Sequence, residues 1–218
     1  MNLSRTDLAV ETAEALPTGR DMFAPGTGVT KSECLLCGCP VTRIHVRTPA
    51  GARAIGKPEG RYITIDLRPA LTADAPNMYY RTDHHWTSEG ALTAYGAWCA
   101  ATGHERQDWQ LETASTCFRG TLYSAVLLPD SPYDRVTIAS DAAIRSMDCD
   151  GEVSDSLYSM AALEEKDHYK IFMGGNYAKV VIDTGAGTGR SLLVVKDSFA
   201  NSFLPFLVRE YDTITVLD

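Results

Sequence analysis

Ser191-Leu192-Leu193-Val194-Val195-Lys196-Asp197-Ser198 is followed by a stretch of helical potential over 202–210 and then by Thr213-Ile214-Thr215-Val216-Leu217. A strand, a helix and a second strand in succession is the pattern of a parallel α/β sheet. Two further apolar runs, Arg135-Val136-Thr137-Ile138-Ala139 and Lys179-Val180-Val181-Ile182-Asp183, read as strands of the same body. Upstream, Trp86-Thr87-Ser88-Glu89 has a hydroxyl cap and a first-turn carboxylate, the entry to a helix. Leu92, Tyr95 and Trp98 recur at helical spacing and form its core-facing stripe. The expected fold class is therefore α/β.

Open α/β sheets hold their sites at the carboxyl ends of strands, and Ser198 has that address. A serine hydroxyl is a poor nucleophile until a base takes its proton. The base candidate lies more than a hundred residues earlier, in Tyr79-Tyr80-Arg81-Thr82-Asp83-His84-His85-Trp86. In an extended segment residues i and i+2 face the same side, so Asp83 can orient His85 while His84 points away. Asp83 would fix the imidazole tautomer and stabilise the imidazolium, the division of labour in a Ser-His-Asp set. Met173-Gly174-Gly175-Asn176-Tyr177 could supply a glycine N–H and an amide to a tetrahedral oxyanion. Taken singly, a serine after a strand is a helix cap, a histidine pair is a surface or metal feature, and a glycine pair is a turn. Their combination points to acyl chemistry.

Composition narrows the alternatives. The 218 residues are 44% hydrophobic, enough for a buried core, and the formal net charge is −8. With no basic stripe to neutralise phosphates, nucleic acid is not an expected partner. No apolar run is long enough to span a membrane, and the start lacks the pattern of a secretory signal. The expected location is then the cytoplasm, with reduced cysteines. Cys34, Cys37 and Cys39 form a C-x-x-C-x-C cluster with His45 as a possible fourth ligand. A second C-x-x-C knuckle is missing, so free thiols in a loop are the expectation, and neither a metal nor a cofactor.

Acidity divides the chain. Residues 1–74 carry nine Lys+Arg and eight Asp+Glu, while the remainder carries eleven and twenty. The polar connector Ala70-Leu71-Thr72-Ala73-Asp74-Ala75-Pro76-Asn77 marks a boundary between parts 1–72 and 77–218. In the first part Pro40–Arg47 and Gly60–Leu67 alternate apolar with polar and suggest a hairpin-like pair.

Four motifs carry a resemblance. Tyr80-Arg81-Thr82-Asp83-His84-His85-Trp86-Thr87, Arg119-Gly120-Thr121-Leu122-Tyr123-Ser124, Phe172-Met173-Gly174-Gly175-Asn176 and Val195-Lys196-Asp197-Ser198-Phe199-Ala200-Asn201-Ser202 resemble, in order, the DHHW family. That group is SGNH-hydrolase-like and related to the alginate O-acetyltransferase proteins of bacterial polysaccharide acetylation. The resemblance implies a flavodoxin-like three-layer parallel sheet over residues 77–218, here incomplete, with a small β-rich segment before it. It implies Asp83, His85 and Ser198 as the triad, and Gly175 and Asn176 as oxyanion-hole residues. The implied activity is that of a serine O-acyltransferase or esterase on acetylated polysaccharide, with a polysaccharide or acyl-donor protein as partner and extracytoplasmic relatives.

The start is similar to something else. Arg5-Thr6-Asp7-Leu8-Ala9-Val10-Glu11 and the stretch Gly51 to Leu67 resemble the N-terminal part of the germination (spore) protease, over residues 4–72. The alternatives this implies are an endopeptidase fragment acting on small acid-soluble spore proteins, or an inactive fusion of two reading frames.

Overall fold

The computed structural model describes residues 65–71 and 77–218, together with the backbone of two short strands before them. Those strands, β1 (Arg43–His45) and β2 (Arg53–Ile55), pair antiparallel with Ile44 opposite Ala54. The strand expected at Pro40–Arg47 therefore exists in part. Its partner is Arg53–Ile55 and not Gly60–Leu67, whose described residues 65–67 are not in a strand. The cysteine cluster, the connector at 72–76 and nearly all of the germination-protease-like stretch lie outside the described residues.

The helix expected after Trp86 is α1 (Ser88–Thr102). Thr87 caps it, its Oγ1 accepting from the Gly90 N–H at 3.1 Å, and Glu89 sits in the first turn. Gly103 closes it in the left-handed conformation. The buried face is Ala91, Ala94, Tyr95, Trp98 and Cys99. Leu92 is only half-buried.

Next come β3 (Leu111–Phe118), the short α2 (Thr121–Val126) and β4 (Asp134–Ala139), with β3 and β4 forming an antiparallel pair. The remaining strands, β5 (Ser146–Cys149), β6 (Glu152–Ser154), β7 (Lys179–Asp183), β8 (Ser191–Val195) and β9 (Thr213–Leu217), make one sheet in the order β6-β5-β7-β9-β8.

This is not the parallel, flavodoxin-like three-layer α/β sheet that the sequence and the family resemblance led us to expect. Within the five-stranded sheet only β8 and β9 run parallel; the other three pairings are antiparallel. Two local features explain the difference. First, β5 and β6 are joined by Asp150-Gly151 alone, both at positive φ (52° and 100°). That is the turn chemistry of a two-residue hairpin, and it forces reversal of the chain. Second, the loop 184–190 between β7 and β8 is too short for a parallel crossover, which needs a dozen residues or more. The two strands must run oppositely, and β9 enters between them.

The helix expected over 202–210 is also absent. The segment folds as two 3-10 turns, Ser198–Ser202 and Leu204–Leu207. Pro205 removes an N–H and disfavours the α conformation at Leu204, so a continuous helix cannot pass through it.

Two hydrophobic clusters result. The larger joins the sheet (Val180, Ile182, Leu192, Ile214, Val216) to α1 and to Leu204, Phe206 and Leu207 of the second turn, and includes Trp86, Leu67 and Leu71. The smaller holds Tyr80, Phe118, Val136, Tyr169, Ile171 and Phe172. Full burial of a side chain of this size is worth about 1.5–3 kcal/mol, so the two clusters give firm walls. Residues 79–86 lie at their junction, with Tyr80 in one and Trp86 in the other.

Candidate active site

The segment around Asp83 is a pinched loop and not a strand. Tyr79 and Trp86 form an isolated antiparallel bridge, and the Tyr80 N–H donates to the His85 carbonyl at 3.2 Å. Inside the loop, the buried Asp134 carboxylate at the start of β4 accepts from Arg81 N–H (3.1 Å), Thr82 N–H (2.8 Å) and Thr82 Oγ1–H (2.6 Å). Trp86 anchors the far end. Its Nε1–H lies 2.9 Å from both Phe199 O and Ser202 Oγ, which ties this loop to the turn carrying Ser198.

The three residues named from the sequence meet. Asp83 Oδ1 accepts from His85 Nδ1 at 2.5 Å and from the His85 backbone N–H at 3.0 Å. On the other edge of the ring, His85 Nε2 lies 2.8 Å from Ser198 Oγ. Because Asp83 can only accept when ionised, the proton sits on Nδ1, leaving Nε2 free to accept the serine proton. Asp83 and His85 are 2% and 5% exposed, so their attraction is little weakened by solvent.

Burial by itself would raise the Asp83 carboxyl. The hydrogen bonds from the His85 side chain and from the Thr121 and His85 backbone N–H groups outweigh it and hold the group far below the usual carboxylate range.

Asp83 Oδ2 is held by a residue to which the sequence reading gave no role. Thr121 donates both its backbone N–H (2.8 Å) and its hydroxyl (2.9 Å). The preceding Gly120 makes the approach possible, since a Cβ there would lie 2.2 Å from Asp83 Oδ2. The signal was present in Arg119-Gly120-Thr121, a motif quoted for likeness alone. Tyr169 was missed altogether. It stacks on His85 with centroids 3.8 Å apart, and its hydroxyl donates to Ser198 O at 2.9 Å, with Ser202 Oγ at 3.1 Å. No residue spacing marks it.

His84 does not point away. Its ring lies 3.9 Å from that of His85, and its Nδ1 is 2.6 Å from Thr121 Oγ1. Asp83, His84 and His85 are close enough together to hold a metal ion. Four donors already occupy the two Asp83 oxygens, and both His85 nitrogens have partners. The donor set as built therefore suits proton transfer better than metal ligation.

The two oxyanion-hole candidates make no hydrogen bond to Ser198. Asn176 lies beside the segment that carries Ser198: its Oδ1 accepts from Asn201 Nδ2 (2.9 Å) and from Lys196 Nζ (3.3 Å). With its oxygen so engaged, the amide nitrogen is the end available to a ligand. Gly175, at positive φ, precedes it in the turn. The backbone N–H that follows the serine, Phe199 N–H, donates instead to Asp197 Oδ1 at 3.1 Å.

Among the described residues, no helix is long and apolar enough to cross a membrane. No curated protein sequence matches the chain. Solved structures resemble it, three of which follow. A DHHW family protein from Eubacterium siraeum DSM 15702 is 28% identical, with a TM-score of 0.57 over 71% of this chain and 55% of its own. Bacillus cereus PatB1 is 24% identical, with a TM-score of 0.51 over 65% and 54%. PatB1 with a sulfonyl adduct gives 22%, 0.50, 65% and 52%, and at such identity the likeness concerns the fold. The chain thus spans about half the length of the structures it matches. The DHHW protein family model matches residues 60–217, most of the chain and all four of the motifs quoted above, and the chain belongs to that family.

Proposed function

We propose that this chain is a serine O-acyltransferase or esterase acting on acyl groups of bacterial polysaccharide. The observation that carries the reading is the continuous line from Asp83 through His85 to Ser198, with contacts of 2.5 and 2.8 Å.

In the proposed reaction His85 Nε2 takes the hydroxyl proton as Ser198 Oγ attacks an acyl carbonyl. The resulting imidazolium is stabilised by Asp83 and returns the proton to the departing oxygen. An acyl-serine remains, and a second hydroxyl, from a sugar or from water, then reverses the steps. General base assistance of this kind is typically worth 10²–10⁴-fold, so loss of His85 nearly abolishes turnover. Candidate donors to the tetrahedral oxyanion are the Asn176 amide and the Gly175 and Ser198 backbone N–H groups. Support also comes from PatB1, which forms a sulfonyl adduct, the product expected when an activated nucleophile meets a sulfonyl reagent.

The experiment is labelling of the folded protein with a fluorophosphonate, followed by peptide mapping. An adduct on Ser198 that disappears in Ser198→Ala and His85→Ala supports the reading. Its absence from folded wild-type protein overturns it.

A further inference from the structure

We infer that His84 binds a hydroxyl of the acyl acceptor through Nε2, and that the acceptor is accordingly a vicinal diol of the kind a sugar presents. The inference rests on the acyl-transfer reading above.

Hydrogen-bond polarity places a proton on His84 Nδ1. Thr121 Oγ1 is 2.9 Å from Asp83 Oδ2 and 2.6 Å from His84 Nδ1. A hydroxyl has one hydrogen and an ionised carboxylate only accepts. Thr121 therefore donates to Asp83, and His84 Nδ1 donates to Thr121. A neutral imidazole with its proton on Nδ1 carries a lone pair on Nε2. That nitrogen has no hydrogen-bond partner among the described residues, on a side chain 45% exposed.

The neutral form is the favoured one. Burial pushes the His84 imidazolium down, His85 beside it acts in the same direction, and Asp83, Asp167 and Asp197 oppose them without reversing the outcome. An outward hydrogen-bond acceptor thus stands next to the base. The rings of His84 and His85 lie side by side, with centroids 3.9 Å apart. Hydroxyls on adjacent sugar carbons are spaced on this scale. Phe199, edge-on to the His84 ring at 5.8 Å, adds an apolar wall against which a sugar face can rest.

In deacylation one hydroxyl of the diol gives its proton to His85 Nε2 while its oxygen attacks the acyl-serine carbonyl. The new ester C–O bond forms, the bond to Ser198 Oγ breaks, and His85 returns the proton to Ser198. The second hydroxyl stays intact and donates to His84 Nε2.

The test uses the full chain, p-nitrophenyl acetate as donor, and propane-1,2-diol against propan-1-ol as acceptors. The readout is the ratio of the two acetylated products within one protein, so a general loss of activity cancels. Wild type is expected to favour the diol about three- to tenfold, the effect of one hydrogen bond. His84→Asn keeps a donor near the Nδ1 position and removes the Nε2 acceptor, and the preference should collapse to about one. His84→Phe, which keeps a ring against His85 without either nitrogen, serves where the first variant fails to fold and should show the same collapse. Diol preference retained in either variant overturns the inference, as does an acylated wild type with no preference. Wild type that forms no acetyl-Ser198 overturns the acyl-transfer reading itself, and peptide mapping distinguishes the two failures.

Discussion

Tyr169 lies face to face with His85, ring centroids 3.8 Å apart and planes 8° from parallel, while its hydroxyl holds the backbone carbonyl of Ser198 at 2.9 Å. One side chain thus grips both the His85 ring and the backbone of Ser198. It is itself fixed by Phe172 and by the edge of Tyr80, at 5.1 and 6.3 Å. Being buried, it has little freedom to relax, and burial pushes its phenol far above the usual range, so it stays a donor.

This separates two variants. Tyr169→Phe keeps the stack and leaves the Ser198 carbonyl without its donor, at a cost of about 1–3 kcal/mol in stability. If Ser198 is the nucleophile, turnover should fall while KM for p-nitrophenyl acetate holds, because Ser198 shifts and the surface that receives the acyl group does not. Tyr169→Ala removes the stack as well, leaves a cavity costing about 3–5 kcal/mol, and should lose the fluorophosphonate reaction at Ser198. Denaturant melts with labelling rates check both; equal labelling in Tyr169→Phe, Tyr169→Ala and wild type would sink the positioning role.

Asp83 gives a pH signature whose sign follows from its depressed carboxyl. A group with a lower pKa folded than unfolded contributes stability that is fully present above the unfolded value, about 3.9. The contribution is lost as pH falls from there toward the folded value. Melting temperature in wild type should therefore drop faster than in Asp83→Asn between about pH 4 and pH 2. At neutral pH the same variant should lose about 10⁴-fold in turnover, because an amide no longer fixes the His85 tautomer. Parallel thermal melts across this range, with one assay at pH 7, decide it.

How much of this was legible in the sequence differs between site and fold. Asp83, His85 and Ser198 could be named because an acid and a base two residues apart and a serine after an apolar strand point together to one chemistry, though each alone has a duller reading. The strands β4, β7, β8 and β9 could be placed from their apolar runs. Their directions could not be had from the runs alone, since a strand reads the same whether its neighbour is parallel or antiparallel. The deciding signals were punctuation: Asp150-Gly151 reverses the chain, and Pro205 stops a helix. Leu111–Phe118 was passed over as a strand because its residues, Leu-Glu-Thr-Ala-Ser-Thr-Cys-Phe, are small and polar and its register shifts at Ser115. Tyr169 was invisible because stacking partners are chosen by tertiary packing and leave no spacing behind.

Gly120 carries a stronger demand than its place in a turn suggests. Any Cβ there meets Asp83 at 2.2–2.6 Å, and the buried carboxylate is pinned by four donors, so it cannot step aside without breaking a bond. Gly120→Ala should therefore damage the site far more than an alanine elsewhere would. We expect 10²-fold or greater loss of turnover, on the scale of an ångström-sized misplacement at a catalytic group. Overpacking at a buried site of this kind costs about 1–3 kcal/mol, so the melting temperature should fall by several degrees while the fold survives. Full activity in a folded Gly120→Ala protein would show that Asp83 has room the geometry does not allow.

Lys196 is the last residue whose role can be read from its surroundings. Its side chain is only 1% exposed, and its ammonium donates to Asp218 Oδ2 at 2.5 Å and to Asn176 Oδ1 at 3.3 Å. Asn201 Nδ2 presents a second donor to the same Asn176 oxygen. A flipped Asn176 amide would set its own N–H groups against an ammonium and another amide nitrogen, so the orientation is locked with the nitrogen turned to a ligand. Lys196→Met keeps the stem's apolar bulk and removes the charge. Asp218 then loses its counter-ion but remains partly exposed, which limits the stability loss to less than the roughly 3–5 kcal/mol of a fully buried broken pair. If Asn176 serves the oxyanion, turnover should fall about tenfold or more while KM is unchanged, since the interaction exists only in the transition state. Asn176→Ala should produce the same kinetic change, and the double variant should add little to either alone. Additive losses in that cycle would mean that Lys196 and Asn176 act separately, and the amide lock would have no part in catalysis.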